Sequence, residues 1–163
     1  MKPAVKKAFS FICLVIWMGV IYWFSSRNGD QSSALSGGIV EWFLSLLGIS
    51  IHTPLGEVMH TLVRKAAHFT EYLILAVLAM NTCGQFSWKK PWRVLAVVLF
   101  CAVYAITDEW HQSFVGGRGP RVMDVVIDTA GALTGAIGFQ LLSRRKERLS
   151  QRESHDLKHG HNL

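Results

Sequence analysis

Between Thr107 and Asp128 the chain reads TDEWHQSFVGGRGPRVMDVVID, a run of acids, bases and glycines set between two apolar segments. Asp108 and Gln112 are four residues apart and Glu109 and Gln112 three, so a helix that continues past Ile106 puts these side chains on one face. Asp124 and Asp128 repeat the four-residue spacing beyond a turn marked by Gly116, Gly117, Gly119 and Pro120. Arg118 is held inside that turn, and Pro120 suits the first position of the next helix. A second set lies upstream, where Arg64, Lys65, Glu71 and Tyr72 are each three or four residues from His68, so that most of the set shares one helical stripe.

These residue types support three kinds of chemistry. An imidazole oriented by a carboxylate, as in His68 with Glu71, titrates near neutral pH and can act as a general base. Asp108, Asp124 or Asp128 can supply a second acid or base, or join His68 around a divalent cation. The metal version is the weaker one, because a His-x-x-Glu spacing is common and no nearby second His confirms it; no metal ligands are assigned, and the cofactor is unknown. Arg118, with Arg64, Lys65 and Arg121, suits a phosphate or carboxylate held by charge-assisted hydrogen bonds. Tyr72 and Gln112 join Arg64, Lys65 and Arg118 as substrate-binding candidates.

The elements that must position these groups are membrane helices. The chain has 163 residues, half of them hydrophobic, with a positive mean hydropathy, which suits one domain and is too apolar for an ordinary soluble one. A transmembrane helix needs about 20 mostly apolar residues, and four candidates are present: Ala8 to Phe24, Ala66 to Thr82, Trp92 to Thr107 and Val122 to Leu142. The second and third are short unless polar flanks extend them. The predicted fold is therefore all-α and polytopic, with a transmembrane domain over residues 1–143 and a charged tail over 144–163.

The formal charge of +6 invites a nucleic-acid reading until its distribution is examined. Of 17 basic residues, twelve fall before span one, between spans two and three, or after span four. The other side carries Arg27, Arg64, Lys65, Arg118 and Arg121 against eight acids. By the positive-inside rule both termini are cytoplasmic and the polar turn faces outward. The basic bias sets topology, and no nucleic-acid partner is implied.

The basic start and apolar run of Met1 to Phe24 also resemble a signal peptide. A Ser-x-Ala triplet at Ser32 lies about ten residues beyond that run and further spans follow, so an uncleaved anchoring helix is favoured. From Ser25 to Thr53 an outer loop carries IVEWFLSLLGI, Ile39 to Ile49, too short to span and suited to an interfacial or re-entrant helix. Pro54 opens the second helix, which can run to Thr82. Cys13, Cys83 and Cys101 are read as packing residues. Gly131, Gly135 and Gly138 are read as helix contacts. The tail, with His155, His159 and His161, is read as solvated and partly disordered. Glu109, Trp110 and His111 are the polar-turn members set at the periphery, His111 as an interfacial histidine.

Taken together, RKAAHFTEY from Arg64 to Tyr72 and TDEWHQSFVGGRGPRVMDVVIDTAGALTG from Thr107 to Gly135 resemble the VanZ-like family of small bacterial membrane proteins. The family pattern is a basic-x-x-His-x-x-Glu-Tyr helix, then Asp-Glu-x-x-Gln, a Gly-Arg turn and an Asp-x-x-x-Asn/Asp-x-x-Gly helix start. Here these are Lys65, His68, Glu71 and Tyr72; Asp108, Glu109 and Gln112; Gly117 and Arg118; and Asp124, Asp128 and Gly131. Phe24-Ser25-Ser26 is similar to the family's Phe-Ser-Ser-Gln, with Arg27 in place of the Gln. The resemblance implies a multi-pass protein of the bacterial cytoplasmic membrane working at the outer leaflet on an envelope component or an amphiphile, with an association with tolerance of teicoplanin, a lipid-bearing glycopeptide. It implies no reaction.

Three functional readings follow. The first is a site that binds or acts on a lipid-linked envelope substrate, with membrane lipids or that substrate as partner and a homo-oligomer allowed. The second is a proton- or ion-coupled transporter or lipid translocator, for which four spans are few without a dimer. The third is structural: Lys65 or Arg64 pairs with Glu71, Arg118 with Asp108 or Glu109, and Arg121 with Asp124, locking the helix ends together.

Overall fold

The computed structural model describes residues 3–26, 38, 40–42, 44–46, 53–86, 88–115 and 121–160. Among the described residues no strand occurs, and four long helices make up the architecture: α1 (Pro3–Ser25), α2 (Pro54–Cys83), α3 (Lys90–Gln112) and α4 (Val122–Gly160). Each contains a stretch long and apolar enough to cross a membrane. The chain is a multi-pass membrane protein built from one helical layer on another.

Helix starts follow local chemistry. The Thr53 side chain accepts the Gly56 N–H at 3.2 Å, and Pro54, which has no N–H to satisfy, occupies the first turn of α2. Pro91 plays the same part in α3. Helix α3 does continue past Ile106, to Gln112, as a shared face for Asp108 and Gln112 requires. Helix α4 begins at Val122 and runs on to Gly160, so the tail expected to be partly disordered is helical in the described residues, although its side chains from Arg144 to Ser154 are exposed. No proline or glycine lies between Ser143 and Lys158 to stop it, and Arg, Lys, Glu and Gln are good helix formers. The Lys90 ammonium meets Glu147 at 2.7 Å on this exposed extension.

Packing centres on α2, which lies against α4 over the longest contact and also touches α1 and α3. The core is built from small residues, Ala76 and Ala79 of α2, Ala105 of α3 and Ala132 and Ala136 of α4, filled out by Tyr72, Leu75, Met80, Val97 and Cys101. Small residues suit this setting: between membrane helices there is little hydrophobic gain, and close backbone approach supplies the attraction. The closest approach is at Gly131 and Gly135. A Cβ on Gly131 would sit 3.0 Å from the Phe69 carbonyl carbon, and one on Gly135 would sit 3.2 Å from that of Leu73, in each case nearer still to the carbonyl oxygen. The Gly131-x-x-x-Gly135 contact expected from the sequence is thus present, against Phe69 and Leu73 one turn apart on α2. Gly138 is not part of it, since nothing lies within 4 Å of where its Cβ would be.

Residues 40–42 and 44–46, inside the run expected to form a short non-spanning helix, and residue 38 just before it are helical. Val40 and Leu44, four apart, are buried, while Trp42 and Leu46 are exposed, so this segment has one packed and one open face.

Candidate polar site at the bundle end

Helices α1 and α3 finish, and α4 starts, at one end of the bundle. The polar residues collect just inside that end. Asp128 is six residues into α4, about 9 Å from its start, and Asp108 is four residues before the end of α3, about 6 Å. His68 lies about 21 Å along α2 from Pro54, so the first turns of α2 project past the other helices.

The contact that defines the site joins α2 to α4: His68 Nδ1 stands 3.4 Å from Asp128 Oδ1. The imidazole keeps 12% of its surface exposed while the carboxylate has none. The close helix crossing explains the pairing, because Phe69 follows His68 directly and Gly131 is the next turn of α4 after Asp128. The sequence pairs His68 with Glu71 of its own helix; in the structure the nearest carboxylate is Asp128, and Glu71 and Asp124 act on the imidazole as charged neighbours. An i, i+3 neighbour is legible in a sequence, whereas a partner across a helix crossing requires the crossing.

On α3, Asp108 Oδ2 accepts the Gln112 Nε2 hydrogen at 3.0 Å, the two four apart as predicted and both buried. The Ser25 hydroxyl, at the end of α1, stands beside Asp108 and is itself 3% exposed. Tyr72 is fully buried, its ring 6.3 Å from that of Tyr104 and its hydroxyl within electrostatic reach of Asp108 and Asp128. The Tyr72 hydroxyl and both Asp128 oxygens are buried with no hydrogen-bond partner among the described residues. Buried polar groups ordinarily have a hydrogen-bond partner.

Two hydrogen bonds set the level of α1. The Trp17 indole donates to the Glu71 carbonyl at 3.0 Å, and the Tyr104 hydroxyl donates to the Met18 carbonyl at 2.8 Å. All four helices therefore contribute to the site. Asp124 is also buried, in the first turn of α4, where its charge suits the helix dipole. Arg64 and Lys65 are half-buried on the approach along α2. Arg118 and Arg27 lie outside the described residues.

Glu109 departs from its expected peripheral place. It is 4% exposed, and its Oε2 accepts the Arg121 backbone N–H at 2.7 Å, capping the start of α4 from α3. Arg121 itself is exposed, and among the described residues no ion pair joins it to Asp124. The reason is geometric: Asp108 and Glu109 are successive on a helix, so their side chains point about 100° apart. One faces the bundle axis and the other the incoming α4. Trp110 is exposed as expected, and His111 packs its ring 4.6 Å from Tyr22. Ser25, of the Phe-Ser-Ser motif, and Tyr104 also stand beside Asp108 and Tyr72; the sequence signal for Tyr104 is its place one turn before Asp108 on the same face. Among the described residues no group of three or more His, Cys, Asp or Glu side chains is arranged to hold a metal ion.

A family model described as VanZ/LLP1 matches residues 10–143, which takes in most of each span and every described residue of the site. The chain belongs to that family. No curated protein and no solved structure matches it.

Proposed function

We propose that this VanZ/LLP1 family member uses the end of its bundle to bind, and act on, a lipid-linked or amphiphilic component of the cell envelope at the outer leaflet of the bacterial cytoplasmic membrane, with both termini in the cytoplasm. The observation that carries the reading is the His68–Asp128 pair, a reachable imidazole backed by a fully buried carboxylate where four membrane helices meet. A carboxylate 3.4 Å from Nδ1 attracts the protonated ring by charge, leaving the other nitrogen to accept or deliver a proton. Asp108, oriented by Gln112, is a second acid or base on the opposite wall. Arg64 and Lys65 on the approach, with Arg118 of the turn, complement an anionic headgroup, and the exposed apolar faces of the spans give its chains a lateral route from the bilayer.

The floor of the site supports action from one side over passage through the bundle. Below Tyr72 the interior is Leu75, Ala76, Ala79, Met80, Val97 and Cys101, all 0–3% exposed and none suited to relay a proton or an ion. The next buried polar side chain on α4 after Asp128 is Gln140, twelve residues or about 18 Å further on.

The test is native mass spectrometry of gently solubilised wild type beside His68→Ala, Asp128→Asn and Tyr72→Phe, together with lipoglycopeptide tolerance of cells carrying each. Tyr72→Phe removes an unpartnered hydroxyl and is expected to fold at least as stably as wild type. A retained anionic or lipid-linked species that is lost in the variants, with tolerance lost in parallel, supports the reading. Stable variants with tolerance and lipid retention unchanged overturn it.

A further inference from the structure

At the opposite end of the bundle, nearest the termini, an apolar groove opens between α1 and α3 with α2 as its floor. It arises because α1 is bonded to α2 from Ser10 to Trp17, whereas its bonds and ring contacts with α3 begin at Met18 and continue at Tyr22. Asn81 Nδ2 donates to the Ser10 hydroxyl at 3.0 Å and the Thr82 hydroxyl to the Ser10 carbonyl at 3.3 Å, holding the start of α1 on the end of α2. The bond between α1 and α3 that spans the other side is Tyr104 to Met18, eight residues or about 12 Å beyond Ser10 along α1. Below it the two helices part. The gap has a volume of about 590 Å³, with Ala79 and Val97 as floor and Phe11 and Phe100 as walls.

The rim carries the chemistry. Lys7 lies at the mouth with its ammonium 5.4 Å from the Phe86 ring centroid, and Gln85 lines the same opening with a buried Nε2 that has no hydrogen-bond partner among the described residues. Two unspent donors, one cationic, thus stand at the head of a groove whose body is hydrocarbon-like.

We propose that this groove binds an anionic phospholipid of the leaflet nearest the termini, one acyl chain lying between Phe11 and Phe100 and the phosphate meeting Lys7 and Gln85. The volume lies within the range of ligand sites. Inside a bilayer the apolar walls favour no lipid over another, since lipid tails are as apolar as the groove. Selection therefore rests on the headgroup, and a basic residue at a membrane surface attracts anionic lipid. The positively charged flanks of the same end, Lys89 and Arg93, raise the local concentration of that lipid class. The site is separate from the polar end and does not depend on the function proposed for it.

The experiment is native mass spectrometry after exchange into mixed micelles holding equal amounts of phosphatidylglycerol and phosphatidylethanolamine. Wild type is expected to retain one phosphatidylglycerol in preference. Lys7→Gln, an exposed position, reduces that preference roughly fivefold, the factor for one basic residue at a membrane surface. Ala8→Phe, which fills the groove from an exposed site, abolishes retention of either lipid, and Lys6→Gln, off the groove, leaves it unchanged. Equal retention of both lipids in wild type overturns the proposal. So does retention that Lys7→Gln and Ala8→Phe leave intact, or a wild-type dimer that loses its second copy, and no lipid, in Ala8→Phe.

Discussion

Gly131→Ala tests the claim that the site is assembled by the closest helix contact. The added methyl would lie 3.0 Å from the Phe69 carbonyl carbon and 3.2 Å from its Cα, and these are backbone atoms of a helix that cannot turn aside. Carbon–carbon contacts settle at about 3.5–4.0 Å. Helix α4 must therefore retreat from α2 by on the order of 0.5–1 Å at this level. His68 and Asp128 straddle the same crossing at 3.4 Å, so their separation grows to about 4 Å or more, beyond ionic contact, and the imidazole loses its orienting carboxylate. Overpacking of this kind costs about 1–3 kcal/mol. Gly138→Ala is the matched control: the same methyl on the same helix meets nothing within 4 Å, and replacing glycine by alanine favours the helix.

Two readouts check this. Thermal unfolding in detergent should fall for Gly131→Ala and stay level or rise for Gly138→Ala. The rate at which diethyl pyrocarbonate modifies His68, followed by peptide mapping, should change for Gly131→Ala alone. Gly135→Ala separates the two effects, since it clashes with Leu73 one turn farther from Asp128 and should lower stability with a smaller effect on His68. A Gly131→Ala protein as stable as wild type, with His68 reacting at an unaltered rate, would refute the reasoning that this contact positions the pair.

Glu109→Ala should destabilise the protein by about 1 kcal/mol through loss of the cap on the Arg121 N–H, and Glu109→Gln, which keeps an acceptor, should recover most of it in the same unfolding assay. Single cysteines at Arg118 and Arg27 should react with an impermeant thiol reagent on intact cells; labelling only after the membrane is opened would invert the proposed topology.

The sequence carries the class of fold because apolar run length and charge asymmetry are local properties. It also carries the Gly131–Gly135 contact and the Asp108–Gln112 bond, since both follow from spacing on one helix. What it does not carry is the partner of His68. Helix spacing singles out Glu71, three residues away, and only the crossing of α2 and α4 brings Asp128 to 3.4 Å. The same limit explains Glu109, whose burial depends on where α4 starts relative to the end of α3, and Ser25, whose place beside Asp108 depends on the level of α1.

The energetics of the site argue against a purely structural reading of its charges. Helices α2 and α4 already meet too closely at Gly131 and Gly135 to admit a Cβ, one turn from Asp128, together with a run of alanines below it. That contact needs no ion pair beside it. A buried pair in turn offers little net stability, because desolvation offsets most of the attraction, and at membrane depth ionisable groups are expensive. Here the cost extends to oxygens of Asp128 and a Tyr72 hydroxyl left without hydrogen-bond partners among the described residues. A chain selected only to hold four helices together would do better with leucine at these positions. The glycine contact is better understood as what holds a costly arrangement in place: it sits where the unfavourable groups are, and it fixes the distance between His68 and Asp128.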